Sequence, residues 1–246
     1  MTTHTLISTM RELGAGKWLA ALCLLGFLAT LIVMSERGLI SRWVLPICIA
    51  GLAMAAVLEI VTAVESSVLD KSPKVSGAML AIMVMAAAFV LCYAWLSGDH
   101  WIVYMVACGA AASDISAQFG GKLWRLLPDH PLKAEGMAQP KLLVYISPNK
   151  SYTGYIAGMA GGSLAVAIAL ARSGQLVYWQ MILLVPFAAE IGDLLASWLK
   201  RQCGIKDYTM LWLRRPLLGW NTGGIYDRGD SHFFAAFIVG LTLLLL

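Results

Sequence analysis

The sequence predicts an all-α fold, a polytopic bundle of about seven helices embedded in a membrane. Hydrophobic residues make up 59% of the 246 and charged residues 13%, and the mean hydropathy is +0.75. No soluble domain of this length could hide so much apolar surface. The apolar residues come in runs long enough to cross about 30 Å of hydrocarbon. Charged residues gather between those runs, so the net charge of +4 reflects membrane topology and not nucleic-acid binding. With no soluble linker, low-complexity tract or matching halves, residues 1–246 read as one integral domain.

Residues 1–17 form a short polar lead. The first apolar run, 18–34, is followed by Ser35, Glu36 and Arg37 with no small-residue cleavage site, so it reads as a retained helix rather than a signal peptide. Further spans are expected over 39–64, 77–97 and 101–119, completing four N-terminal helices within 18–119. Residues 120–151 then form the longest loop, where Pro128, Pro131, Pro140 and Pro148 oppose regular helix. Three C-terminal helices follow within 152–246, over 152–171, 176–199 and 231–246. The last would reach only roughly 24 Å and needs local thinning or an earlier start. Gly154, Gly158 and Gly162 recur every fourth residue, which suits close packing against the helix after it. The cysteines have no paired spacing and read as small apolar fillers.

Orientation follows from Lys and Arg. With a cytoplasmic N-terminus, fifteen of the eighteen fall inside, leaving Arg37, Arg42 and Arg172 outside. Every polar cluster then lies on the cytoplasmic side, where nucleotides are. Trp95, Trp101 and Tyr104 suit the outer aromatic belt. Glu65, Asp70, Lys71 and Lys74 read as a solvated edge. Glu59 is balanced between a site-lining acid and an interfacial residue paired to a neighbouring helix.

Four segments carry candidate chemistry. The apolar run before Glu190 leads into Asp193, Ser197, Lys200 and Arg201, three or four residues apart on one helix face. A carboxylate in hydrocarbon costs about 2.5–3.5 kcal/mol on insertion scales, so Asp193 calls for a function. Asp227 and Asp230 flank Arg228 before the final run; alone they could be a polar cap. Asp114 lies about two turns inside its helix end, ahead of Gly121 and Lys122, and alone could be a structural terminus. Ser147, Pro148, Lys150 and Ser151 precede the fifth helix, whose N-terminal N–H groups and positive dipole end could take a phosphate; an ordinary cap with Lys150 snorkelling is the plainer alternative. Lys200 and Arg201 alone could be membrane anchors. Arg214 and Arg215, among Trp212 and Trp220, suit a membrane surface, and His232 reads as interfacial.

Together these segments resemble the CDP-diacylglycerol synthase (phosphatidate cytidylyltransferase) family. The resemblance rests on Ser197-Trp198-Leu199-Lys200-Arg201, then Lys206-Asp207, then Gly223-Gly224-Ile225-Tyr226-Asp227-Arg228-Gly229-Asp230. Asp114, Ala117, Gly121 and Lys122 match a second family segment, and Ser147, Pro148, Lys150, Ser151, Tyr152 and Gly154 a third. Thr222 stands where the family has His, Gly229 replaces an apolar residue, and the link after Asp207 is longer than the family pattern.

The resemblance implies transfer of CMP from CTP to a phosphorylated lipid, foremost phosphatidic acid, giving a CDP-lipid and pyrophosphate. It implies Mg²⁺ held by Asp193, Asp227 and Asp230, with room for a second cation. Lys200 would act beside those acids in catalysis. Lys200, Arg201, Lys206 and Arg228 would hold the triphosphate and lipid phosphate, with Ser147, Lys150 and Ser197 as further phosphate contacts. Asp114, Lys122 and Asp207 complete the substrate-binding set. The partners implied are CTP, a phosphorylated lipid and the bilayer, with a homodimer left open. The location implied is a bacterial inner (plasma) membrane with the site facing the cytoplasm. The rivals are a CTP-dependent lipid kinase of polyprenol type, which would release CDP, and a cation- or proton-coupled transporter using Asp114, Glu190 and Asp193.

Overall fold

A computed structural model describes residues 26, 30–67, 72–126, 146, 147, 150–208 and 224–246, with backbone alone at 72 and 122–126. Six long helices account for most of them: α1 Val44–Glu65, α2 Ser72–Ser97, α3 His100–Leu126, α4 Tyr152–Ser173, α5 Met181–Gln202 and α6 Tyr226–Leu245. All six are long and apolar enough to cross a membrane. Residues 30–36 are also helical, the end of the expected first span. The polar lead, the rest of that span, most of the 120–151 loop and the 209–223 link, with Arg214, Arg215 and Thr222, lie outside the described residues.

Local chemistry sets the helix ends. Ser151 caps α4, its Oγ accepting from Gly154 N at 3.2 Å. Gly174 ends α4 at φ 71° and Gly204 closes α5 at φ 70°, left-handed positions that glycine takes without a Cβ penalty. Pro186 sits inside α5, where its ring abuts Gly162 of α4. There the missing side chain lets the kink-prone turn pack closely.

Several boundaries differ from expectation. The second span starts at Val44 and not at 39, because residues 37–43 turn. The third begins at Ser72, since Pro73 is harmless in a first turn. The fourth continues to Leu126, so Lys122 belongs to a helix and not to a loop. The sixth is split: a 3-10 turn, Leu176–Tyr178, precedes α5. The seventh starts at Tyr226, the earlier start its length called for, and this puts Asp227, Arg228 and Asp230 in its first turns.

The core is built from side chains such as Leu45, Ile60, Met105, Leu170, Met181 and Val239. Helix α6 lies among α1, α2, α3 and α5, while α4 packs on α3 and α5. The glycine stripe on α4 faces chiefly α3: a Cβ at Gly154 would meet the Ala117 carbonyl, and one at Gly162 the Gly109 carbonyl. The stripe therefore joins α4 to α3 more than to α5. Trp95 is 3% exposed and stacks on His100, so it is a core residue and not part of an aromatic belt. Large apolar residues such as Ile47, Ile82, Phe89 and Ile168 cover the outside, as contact with acyl chains requires.

Candidate active site

Polar side chains from α1, α3, α5, α6 and the segment ahead of α4 meet at one end of the bundle. On α5, Glu190, Asp193, Ser197 and Lys200 follow one another at helical spacing; Glu190 and Ser197 are buried. Glu190 Oε1 accepts from Ser113 Oγ of α3 at 3.2 Å. Gly158 of α4 leaves the room for that carboxylate, since a Cβ there would strike Glu190 Oε1.

Two ion pairs tie the elements together. Lys150, ahead of α4, reaches Asp193 Oδ2 at 2.5 Å. Lys200 reaches Asp227 Oδ1 on α6 at 2.7 Å, with side chains only 12% and 10% exposed. The other Asp227 oxygen accepts from the backbone N–H of Tyr208 at 2.8 Å and of Gly224 at 3.1 Å. Those donors satisfy a carboxylate oxygen that is nearly sealed from water. The Lys200 ammonium also lies 5.7 Å from the centre of the Tyr208 ring. Burial pushes the Tyr208 phenol well above its ordinary range, so its hydroxyl stays protonated.

Asp230, one turn beyond Asp227, is 6% exposed, and its Oδ1 accepts from Ser231 N at 2.8 Å. Asp193, Asp114 and Asp227 lie close enough to act on it electrostatically, as does Lys200. Asp114 of α3 is anchored to α6 by a 2.6 Å hydrogen bond donated by Ser231 Oγ. Close passage of α5 over α6 requires Gly192, where a Cβ would meet the Asp230 carbonyl at 2.7 Å.

The acids and lysines singled out in the sequence thus converge, from segments as far apart as Asp114 and Asp230. Others stand apart. Arg201 is exposed and turned from the buried face of α5, its Nε donating to the Ile146 carbonyl at 3.4 Å. That contact brings the chain beside Ser147 to the end of α5. Ser147 itself is half-buried, and its carbonyl accepts from Lys150 N at 3.2 Å. Lys206 is exposed; Asp207 and Arg228 are half-buried. The Lys122 side chain lies outside the described residues. The cap on α4 is the ordinary one, made by Ser151, yet Lys150 does not snorkel: it turns to Asp193.

Sequence reasoning missed Ser113, Ser231 and Tyr208 as supports. Ser231 beside Asp230 offered a hint; Tyr208 acts through its backbone and offered none. Glu59 of α1 proves to be paired: its two oxygens accept from Ile225 N at 3.0 Å and Tyr226 N at 2.9 Å, at the start of α6.

Five carboxylates, Asp114, Glu190, Asp193, Asp227 and Asp230, therefore share one region with two lysines, Lys150 and Lys200. Hard oxygen donors in excess of nearby positive charge suit a divalent cation such as Mg²⁺. Among the described residues, no three His, Cys, Asp or Glu side chains stand at ligand spacing; Asp193 and Asp227 each hold a lysine.

Comparison with known proteins gives the family. The cytidylyltransferase family matches residues 4–246. A phosphatidate cytidylyltransferase of Brucella abortus biovar 1 (strain 9-941) is 32% identical over 184 residues, 67% of this chain and 66% of that protein. The chloroplastic phosphatidate cytidylyltransferase 5 of Arabidopsis thaliana is 33% identical over 148 residues, 55% of this chain and 31% of that one. A phosphatidate cytidylyltransferase of Helicobacter pylori (strain ATCC 700392 / 26695) is 33% identical over 148 residues, 59% of this chain and 46% of that one. The chain thus spans about two thirds or less of the length of these relatives. With the match running through almost all of its helices, the chain belongs to the cytidylyltransferase family, a family of nucleotidyltransferases.

Proposed function

We propose that this chain is an integral-membrane enzyme that transfers CMP from CTP to phosphatidic acid, giving CDP-diacylglycerol and pyrophosphate, with Mg²⁺ as its metal. One observation carries the reading: the Lys150–Asp193 and Lys200–Asp227 pairs meet around buried Asp230 at one end of a bundle of apolar helices. That end lies where a lipid phosphate and a soluble nucleotide could both arrive. The distribution of Lys and Arg supports a cytoplasmic face for it, in what we propose is a bacterial inner membrane.

In the proposed step a phosphatidate oxygen attacks the α-phosphorus of CTP. A new P–O bond forms as the bond from that phosphorus to the β-phosphate bridging oxygen breaks, and pyrophosphate leaves. No protein nucleophile is required, so the site has to position two anions and offset their repulsion. Lys150 and Lys200 supply buried positive charge. Each is already held by a carboxylate, so neither has to be ordered when substrate binds. Exposed Arg201 and Lys206, with Arg228, would guide the triphosphate; Ser147, Ser197, Lys122 and Asp207 would complete the substrate contacts. Asp193, Asp227 and Asp230 would hold Mg²⁺, with Asp114 beside them. When bound, the ion would neutralise phosphate charge. The test is a lipid panel incubated with the purified chain, CTP and Mg²⁺, with product masses read out. A product heavier than phosphatidic acid by one CMP, with pyrophosphate released, supports the reading. A product heavier by one phosphate, with CDP released, overturns it.

A further inference from the structure

We infer that Glu59 is a positioning residue for the acidic turn of α6, clamping from α1 the two acids on which the proposed transfer depends; the inference rests on that proposed function. Glu59 is 3% exposed and is the one buried charged residue of a mainly apolar helix, and no lysine or arginine is bonded to it among the described residues. Both its oxygens are spent on one task, accepting the Ile225 and Tyr226 N–H groups 166 and 167 residues away. Helix α6 has no side-chain cap of its own at Ile225. Glu59 therefore acts as its cap from another helix, placing a full negative charge at the positive end of the dipole.

The clamp fixes more than a helix end. Gly224 packs on the carboxylate so closely that a Cβ would strike Glu59 Oε2 and approach Tyr208 Cβ at 2.8 Å. The same Gly224 donates its N–H to Asp227 Oδ2, which also takes the Tyr208 N–H. Glu59, Gly224, Tyr208 and Asp227 thus form one continuous unit, and the orientation of Asp227 toward Lys200 depends on it. A second consequence concerns substrate. The N-terminus of α6 already has its anion, so the Ile225 and Tyr226 N–H groups are not offered to a phosphate, and phosphate binding is left to side chains, Lys150 and Lys200 foremost.

Glu59→Gln keeps the size of the side chain but removes the charge and one acceptor oxygen. Gly224→Ala keeps Glu59 but pushes its carboxylate aside. Glu65→Gln, exposed at the end of the same helix, is the control. Two quantities are read on the full chain in detergent: kcat and KM for CTP with phosphatidic acid, and the Mg²⁺ concentration that half-maximally raises the melting temperature without substrate. Both Glu59→Gln and Gly224→Ala are expected to lower kcat about 10–100-fold, as supports behind metal ligands do, and to raise the Mg²⁺ midpoint similarly. KM for CTP should stay within about twofold, because the lysines are untouched. Glu65→Gln should match the parent chain. A folded Glu59→Gln with parental kcat and Mg²⁺ midpoint overturns the inference. Should Glu59→Gln fail to fold, Glu59→Asp, which keeps the charge but withdraws it, decides: a lowered kcat upholds the clamp and a parental one overturns it. If the parent chain makes no CDP-lipid, the proposed function fails, and the Mg²⁺ midpoints alone then uphold or overturn the clamp. If Mg²⁺ stabilises no form of the chain, both fall.

Discussion

Replacing Lys200 by Met separates structural from chemical work at the site. The Lys200 ammonium and Asp227 Oδ1 are 2.7 Å apart, with both side chains nearly sealed from solvent. At an effective dielectric of about 20, a pair at this distance attracts by about 6 kcal/mol before desolvation is counted. Much of that is offset by the cost of burying both ions, and removing one partner of such a pair typically destabilises by about 3–5 kcal/mol. Here the two backbone N–H groups on Asp227 Oδ2 remain, so the lower end, about 3 kcal/mol, is expected. In a chain of this length that lowers the melting temperature by about 6–12 °C. Asp227→Asn added to Lys200→Met should recover part of the loss, because the orphaned charge is gone. Turnover behaves differently. Losing a preorganised cation at developing phosphate charge costs about 10²–10³ in kcat, and the double variant recovers none of it. Thermal unfolding in detergent and initial rates with CTP and phosphatidic acid measure the two effects. Parental stability together with parental kcat in Lys200→Met would refute the account of this pair.

Three further outcomes follow from the same geometry. Asp193→Asn should abolish measurable turnover and also destabilise by about 1–3 kcal/mol, because the Lys150 Nζ paired with Asp193 is itself sealed from solvent and loses its counter-charge; activity and melting temperature measured together check it. Gly158→Ala forces a methyl against Glu190 Oε1 and the Ser113 carbonyl and should destabilise by about 1–3 kcal/mol, read as a lower melting temperature. Ser231→Ala strips the 2.6 Å donor from buried Asp114 and should cost about 1–3 kcal/mol, seen in the same assay.

The sequence made the membrane architecture plain because hydrocarbon imposes one requirement, long apolar helices, that composition and run length report directly. The acids were legible for the converse reason. Asp193 and Asp114 stand inside apolar runs, where a charge is too costly to be idle. Their partners were harder to read. Lys150 looked like a helix-end cation because nothing local ties it to Asp193, a neighbour only after α4 folds onto α5. Glu59 stayed balanced between two roles because its partners are backbone N–H groups, which carry no residue identity. Trp95 was misplaced since an aromatic near a span end resembles a belt residue until α3 brings His100 against it. The end of α3 was cut short at 119 because Gly120 and Gly121 resemble a terminus. In the fold those glycines continue the helix so that α4 can approach: a Cβ at Gly120 would collide with Ala157.

The most direct test of the central claim follows two labels through one reaction, with CTP carrying distinguishable phosphorus isotopes at the α and γ positions. With phosphatidic acid and Mg²⁺, the account predicts the α label in the lipid and the γ label in pyrophosphate, and neither transfer in Asp193→Asn or when the cation is chelated. The γ label in the lipid, or undiminished α transfer in Asp193→Asn, would contradict it.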